Sequence, residues 1–208
     1  MYKRKVFEVL KKVLREKLKF YISLIQVLKK NFSVIITDTM FIFISGSSES
    51  GKSLFAEKRL SEFESEKKFY VATAKISDLE MRERVQKHKL MRKDKNFITI
   101  ECEKNLGKLK FPANSSVLIE SLTTWLANEM FEGGNVEKIF DDFLKISSQC
   151  KNIILVSDYI FSDGAIYDEA TEKYIKTLAE LSIKFADEAD EVFECFAGLE
   201  IKYKSYSE

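Results

Sequence analysis

Met40-Phe-Ile-Phe-Ile-Ser45-Gly46-Ser-Ser-Glu-Ser-Gly51-Lys52-Ser53 is the stretch on which the fold turns. It opens with an apolar run, passes through a polar loop bounded by two glycines, and ends on Lys-Ser. Residues Leu54–Phe63 then show the apolar spacing of a helix. The loop matches G-x-x-x-x-G-K-[ST]. In such a loop the backbone N–H groups converge on phosphate oxygens, and the following helix offers its positive N-terminal end to the same anion. Lys52 is then placed to reach the β- and γ-phosphates, and the Ser53 hydroxyl to sit on Mg²⁺. The bland alternative is a glycine turn that starts a helix and holds no nucleotide.

Outward from that loop, strand and helix patterns alternate. Phe69–Thr73, Asn96–Glu101, Ser116–Glu120 and Asn152–Ser157 read as strands, and Leu122–Phe131, Val136–Cys150 and Asp168–Ala186 as helices. Ser77–Leu90 reads as a polar helix, with Ser77 and Glu80 at capping-box spacing. Glu191–Phe196 and Glu200–Lys204 suggest a closing hairpin. This alternation predicts an α/β fold, a mostly parallel sheet with helices on both faces.

Composition narrows the function. The 208 residues carry 34 Lys+Arg and 33 Asp+Glu, a formal net charge of +1, so overall charge gives no pointer to nucleic acid. The three cysteines, Cys102, Cys150 and Cys195, are scattered without a C-x-x-C, which fits a reducing, cytoplasmic setting better than a disulfide framework or a zinc knuckle. A single histidine, His88, argues against a His-rich metal centre. No run of uncharged apolar residues is long enough to predict a transmembrane helix.

Residues 1–39 differ from the rest: their net charge is +7, against −6 for residues 40–208. Phe7, Leu10, Leu14, Leu18, Tyr21, Ile25 and Leu28 recur at three- and four-residue steps, with Lys3, Lys11, Lys12, Lys19, Lys29 and Lys30 around them. The expectation is a basic amphipathic helical extension before a domain spanning 40–208. An extra packed helix, a membrane-surface or partner-binding helix, and an extension outside the functional domain remain open readings.

A phosphate-bound Mg²⁺ calls for a second acidic anchor from a neighbouring strand. Glu120, closing the run Val117-Leu-Ile119, is the first candidate, and Asp158 after Ile153–Val156 is a weaker one. Ligands of open parallel sheets bind at the carboxyl ends of the strands, so Thr73, Glu120 and Asp158 are expected around one crevice. His88 lies among cations in Arg84-Val-Gln-Lys-His-Lys-Leu-Met-Arg92. A surface histidine is ordinarily just solvated. Cationic neighbours, however, favour the neutral imidazole and attract phosphate, which suits a nucleophile for an α-phosphorus.

Residues 40 to about 204 resemble the bifunctional adenosylcobinamide kinase/adenosylcobinamide-phosphate guanylyltransferase family of cobalamin biosynthesis. The resemblance rests on Gly46–Ser53 with Ala56-Glu57, on Tyr70-Val-Ala-Thr-Ala74 followed by Asp78–Lys89, on Thr99-Ile-Glu101, on Leu118–Phe131, and on Ala189-Asp-Glu-Val192. It implies a P-loop NTPase-like fold, a homotrimer, the nucleotides ATP and GTP, Mg²⁺, and the corrinoid adenosylcobinamide as substrate. By position it makes His88 the guanylylated nucleophile and Lys52 its catalytic companion. Gly46, Ser47, Ser48, Glu49, Ser50, Gly51, Lys52 and Ser53 would cradle phosphates. Ala72, Thr73, Ala74, Lys89, Leu90, Met91, Arg92, Glu101 and Glu120 would line the GTP site, with Ser53 and Glu120 on the metal.

The chain also departs from the family pattern. Ser47 and Glu49 stand where the loop ordinarily has Gly and Arg, and Lys93 follows Arg92 in place of Pro. Asp158-Tyr-Ile-Phe161 replaces an Asn-Glu-Val-Gly loop, and Ile166 a proline. Glu172, Lys176, Ala179 and Ser182-Ile183 replace a more polar set. Two other readings therefore stand beside the bifunctional enzyme. One is a P-loop kinase or NTPase that lost the corrinoid reaction, and the other a nucleotide-binding module without turnover.

Overall fold

The computed structural model describes residues 39–75, 95–161 and 167–205. The expected N-terminal helix, the helix over Ser77–Leu90, and the sites at His88, Lys89, Leu90, Met91 and Arg92 lie outside the described residues. Among the described residues seven strands form one sheet: β1 (Met40–Gly46), β2 (Lys67–Ala72), β3 (Ile98–Glu101), β4 (Ser115–Glu120), β5 (Asn152–Asp158), β6 (Glu191–Phe196) and β7 (Leu199–Lys204). Their spatial order is β3-β2-β4-β5-β1-β6-β7. All neighbouring pairs are parallel except β6 with β7. The α-helices among the described residues are α1 (Lys52–Glu62), α2 (Leu122–Phe131), α3 (Ile139–Ser147) and α4 (Glu169–Glu188).

The strands read as continuous apolar runs because both faces of the sheet are covered. Successive residues of β1 go to opposite sides. Phe41 and Phe43 join one core with Trp125 of α2, Phe143 of α3 and Phe185 of α4. Ile42 and Ile44 join the other with Phe55, Ala56 and Leu60 of α1. The expected α/β architecture is thus present; among the described residues, α1 lies on one face and α2–α4 on the other. Phe185 is fully buried, with its ring centroid 4.9 Å from that of Phe143 and 5.2 Å from that of Phe140. Burying a side chain of this size contributes roughly 2–3 kcal/mol.

Several boundaries differ from the sequence expectation, each for a local reason. Helix α1 starts at Lys52 rather than Leu54, because Gly51 (φ 94°) takes the left-handed turn that starts it. The stretch expected as one helix over Val136–Cys150 is a 3₁₀ turn, Val136–Lys138, followed by α3. Strand β3 begins at Ile98 rather than Asn96, since Asn96 has φ 54°. Asp168 is the N-cap of α4, its carboxylate accepting the Thr171 N–H at 2.8 Å, so the helix proper begins at Glu169. The expected hairpin is present. Ala197 (φ 49°) and Gly198 (φ 80°) form its two-residue turn, the geometry that matches the twist of the flanking strands.

Candidate nucleotide site

The order of the sheet puts the carboxyl ends of β1, β2, β3, β4 and β5 along one edge. Gly46 pairs in register with Asp158, and Ala72 with both Glu101 and Glu120. The expected phosphate loop lies there, between β1 and α1. Its two glycines are required for different reasons. A Cβ on Gly46 would lie 2.5 Å from Ser50 Oγ and 2.6 Å from the Cys195 carbonyl oxygen. Gly51 needs its positive φ, and it lies against the β6–β7 turn, whose Gly198 N–H donates to the Ser50 carbonyl at 3.0 Å. Ser47, Ser48 and Glu49 are exposed, and Glu49 adopts φ 57°. The start of α1 has no side-chain cap and no acidic residue in its first turn. A helix end of that kind presents N–H groups and a positive dipole to an anion.

Lys52 is only 7% exposed. Its ammonium donates to the Ser47 carbonyl at 3.0 Å and lies 2.7 Å from Asp158 Oδ1. One residue on, the Ser53 hydroxyl donates to Glu120 Oε1. The Tyr70 hydroxyl donates to the other carboxylate oxygen, Oε2, at 3.0 Å. The two groups expected on the metal, Ser53 and Glu120, are therefore in contact although they come from α1 and β4. A hydroxyl and a carboxylate beside a phosphate loop are the oxygen donors that Mg²⁺ takes along with nucleotide phosphates, so the residues fit the ion. Asp158, the weaker anchor candidate, faces Lys52.

Thr73 has another place than the crevice wall. Its side chain is fully buried and its hydroxyl donates to the Ser121 carbonyl at 2.9 Å, while the Ser121 N–H donates back to it at 2.7 Å. The Thr124 hydroxyl is a further contact. Thr73 thus fixes the junction between β4 and α2. Asn128 adds to this by donating from Nδ2 to the Thr73 carbonyl at 2.8 Å and to the Glu103 carbonyl at 3.1 Å. Ala72 and Ala74 are half-buried beside it, and Glu101 is exposed at the end of β3.

Sequence reasoning gave no site role to Tyr70, Thr123 or Asn128, although all three lie in the blocks that carry the family resemblance. Thr123 Oγ1 accepts the Asp158 N–H at 2.8 Å and so sets the height of that carboxylate. Nothing distinguishes Tyr70 from an ordinary core aromatic until its partner 50 residues away is known. Tyr174 donates to the Thr123 carbonyl at 3.0 Å; burial first, and then the Asp158 charge, push its hydroxyl up to about 12. It stays neutral and serves as a prop.

The bifunctional adenosylcobalamin biosynthesis protein CobU of Salmonella typhimurium is 27% identical over 185 residues, covering 79% of this chain and 100% of that protein. The protein of the same name from Escherichia coli is 25% identical over the same shares. Among solved structures, the flagellar accessory protein FlaH from Methanocaldococcus jannaschii is similar with a TM-score of 0.43 and 17% identity, over 80% of this chain and 78% of that one. The model of the CobU family, cobinamide kinase / cobinamide phosphate guanyltransferase, matches residues 42–203, from within β1 to within β7. On the extent of that match, this chain belongs to the cobinamide kinase / cobinamide phosphate guanyltransferase family.

Proposed function

We propose that this chain phosphorylates adenosylcobinamide and then transfers GMP from GTP to the product, with His88 as the covalent nucleotide carrier. Family membership over residues 42–203 supports the enzyme class. The observation that carries the nucleotide reading is the pairing of Ser53 with Glu120 beside a glycine loop, a buried lysine and an uncapped helix start. ATP or GTP would lie with its phosphates on the loop N–H groups and Lys52. Mg²⁺, held by Ser53 and Glu120, would neutralise phosphate charge. Lys52 would offset the charge that builds on the departing group.

The histidine step balances simply. A neutral His88 nitrogen attacks the α-phosphorus of GTP, a P–N bond forms, the bond to the bridging oxygen breaks, and pyrophosphate leaves with the electron pair. The phosphate of the phosphorylated corrinoid then attacks the same phosphorus and releases the imidazole. Two displacements replace one difficult transfer between anions.

We further propose a homo-oligomeric assembly. Leu199, Ile201 and Tyr203 alternate along β7, an edge strand exposed throughout, as a subunit contact would need. The departures at Glu172, Lys176, Ala179 and Ser182-Ile183 favour a second reading, a kinase or NTPase without the corrinoid transfer. One experiment separates the two. Intact mass is measured after exposure to GTP and Mg²⁺, for the parent and for His88→Ala. A GMP-sized increment on the parent alone is the expected result. GTP turnover with no increment on either protein would leave the second reading in place.

A further inference from the structure

Lys52 does not face its crevice with an unpartnered ammonium. Its charge is already matched by Asp158 at 2.7 Å, and both side chains are largely withdrawn from water, at 9% and 30% exposure. The main chain beneath that carboxylate is pinned. The Asp158 N–H donates to Thr123 Oγ1 at 2.8 Å, the Tyr159 N–H donates to the Gly46 carbonyl at 2.9 Å, and Gly46 and Asp158 are register partners across β1 and β5. The main chain that bears this carboxylate is therefore fixed at the foot of the phosphate loop.

We infer that Asp158 is a built-in rival of the nucleotide: its carboxylate holds the Lys52 ammonium that a triphosphate would take, and so sets the affinity of the loop. The inference rests on the nucleotide reading above and goes beyond it. A bound triphosphate draws the ammonium from Asp158 and the Ser47 carbonyl onto its own oxygens. The abandoned carboxylate then stands close to a polyanion of the same sign. Both effects oppose binding, because the ligand competes with a group that is always present and then meets its charge. No bond is made or broken; one ion pair is exchanged for another. The same pairing favours release, since Asp158 recaptures the lysine as pyrophosphate or nucleoside diphosphate departs.

The test measures dissociation constants of GTP and ATP, with and without Mg²⁺, for the parent and for Asp158→Asn. Asp158→Ser serves as a second variant, so that a folding defect in one does not remove the answer. Glu180→Gln, on the exposed face of α4, controls for the change in net charge. The expected result is binding tighter by about fivefold or more in the Asp158 variants, with none in the control. The gain should shrink at high salt. Damage to the fold cannot produce an affinity gain, which separates this role from a merely structural one. Equal or weaker binding in a folded Asp158 variant, with the parent binding nucleotide, overturns the inference and leaves the nucleotide reading standing. Absence of binding by the parent and by every variant overturns both.

Discussion

Replacing Tyr70 by Phe probes the proposed metal corner of the site with the removal of one oxygen. Tyr70 is 5% exposed and packs in the core between the sheet and α1, so the ring keeps its place. The loss includes the 3.0 Å hydrogen bond to Glu120 Oε2. A hydrogen bond to a charged partner contributes about 1.5–3 kcal/mol when buried. Glu120 is only half-buried, and water replaces part of the loss, which leaves a net of about 1 kcal/mol. If Tyr70 orients the carboxylate that shares Mg²⁺ with Ser53, this appears as about a fivefold rise in the Mg²⁺ concentration for half-maximal nucleotide binding. The assay is a Mg²⁺ titration of a fluorescent GTP analogue at fixed protein, with a metal-free series alongside. Metal-free affinity should stay unchanged. An unchanged Mg²⁺ midpoint, or an equal loss of affinity with and without metal, would refute the assignment of Glu120 to the metal.

Two further outcomes are expected. Gly46→Ala should abolish nucleotide binding and lower thermal stability, because the added methyl meets the Cys195 backbone oxygen 2.6 Å away and the loop must shift; a variant that binds as the parent does would remove the loop from the phosphate site. Alkaline conditions should destabilise the fold, with the buried Cys150 as a main cause. Burial pushes its thiol from 9.0 up to about 12, so between those values the unfolded chain loses a proton that the folded chain keeps, and stability falls as pH rises. One such group contributes a slope of about 1.4 kcal/mol per pH unit at most. Urea unfolding across that range should show Cys150→Ala with a slope shallower by about one proton. Equal slopes would mean that Cys150 does not titrate as its burial implies.

Local signals in the sequence were sufficient for the elements that carry their own pattern. Strand β1 and the glycine loop were legible because burial on both faces leaves an unbroken apolar run, and because a close approach at Gly46 and a positive φ at Gly51 demand glycine at two fixed places. Glu120 was legible as the polar end of such a run. Boundaries failed where the backbone, not the side-chain period, decides. Lys52 and Ser53 interrupt the apolar spacing although they are the first turn of α1. Val136–Lys138 keeps helical spacing although it is a 3₁₀ turn. The partners of the site residues stayed hidden for a different reason. Tyr70 with Glu120, Lys52 with Asp158 and Thr73 with Ser121 are brought together by strand order, and strand order leaves no trace in local periodicity. Thr73 shows the cost of reading position alone: it directly follows β2, yet its hydroxyl is spent on the β4–α2 junction.

The contact between Gly198 and Ser50 carries a consequence for biogenesis. The ribosome makes the lysine-bearing turn early and the hairpin that braces it from behind much later, after β5 and α4. Strand β6, which flanks β1 on the side away from β5, also arrives in that late stretch. A growing polypeptide thus holds the glycine-bounded turn and Lys52 long before the brace behind them exists. Nucleotide in the cell would then stabilise the finished protein by mass action instead of seeding its early collapse.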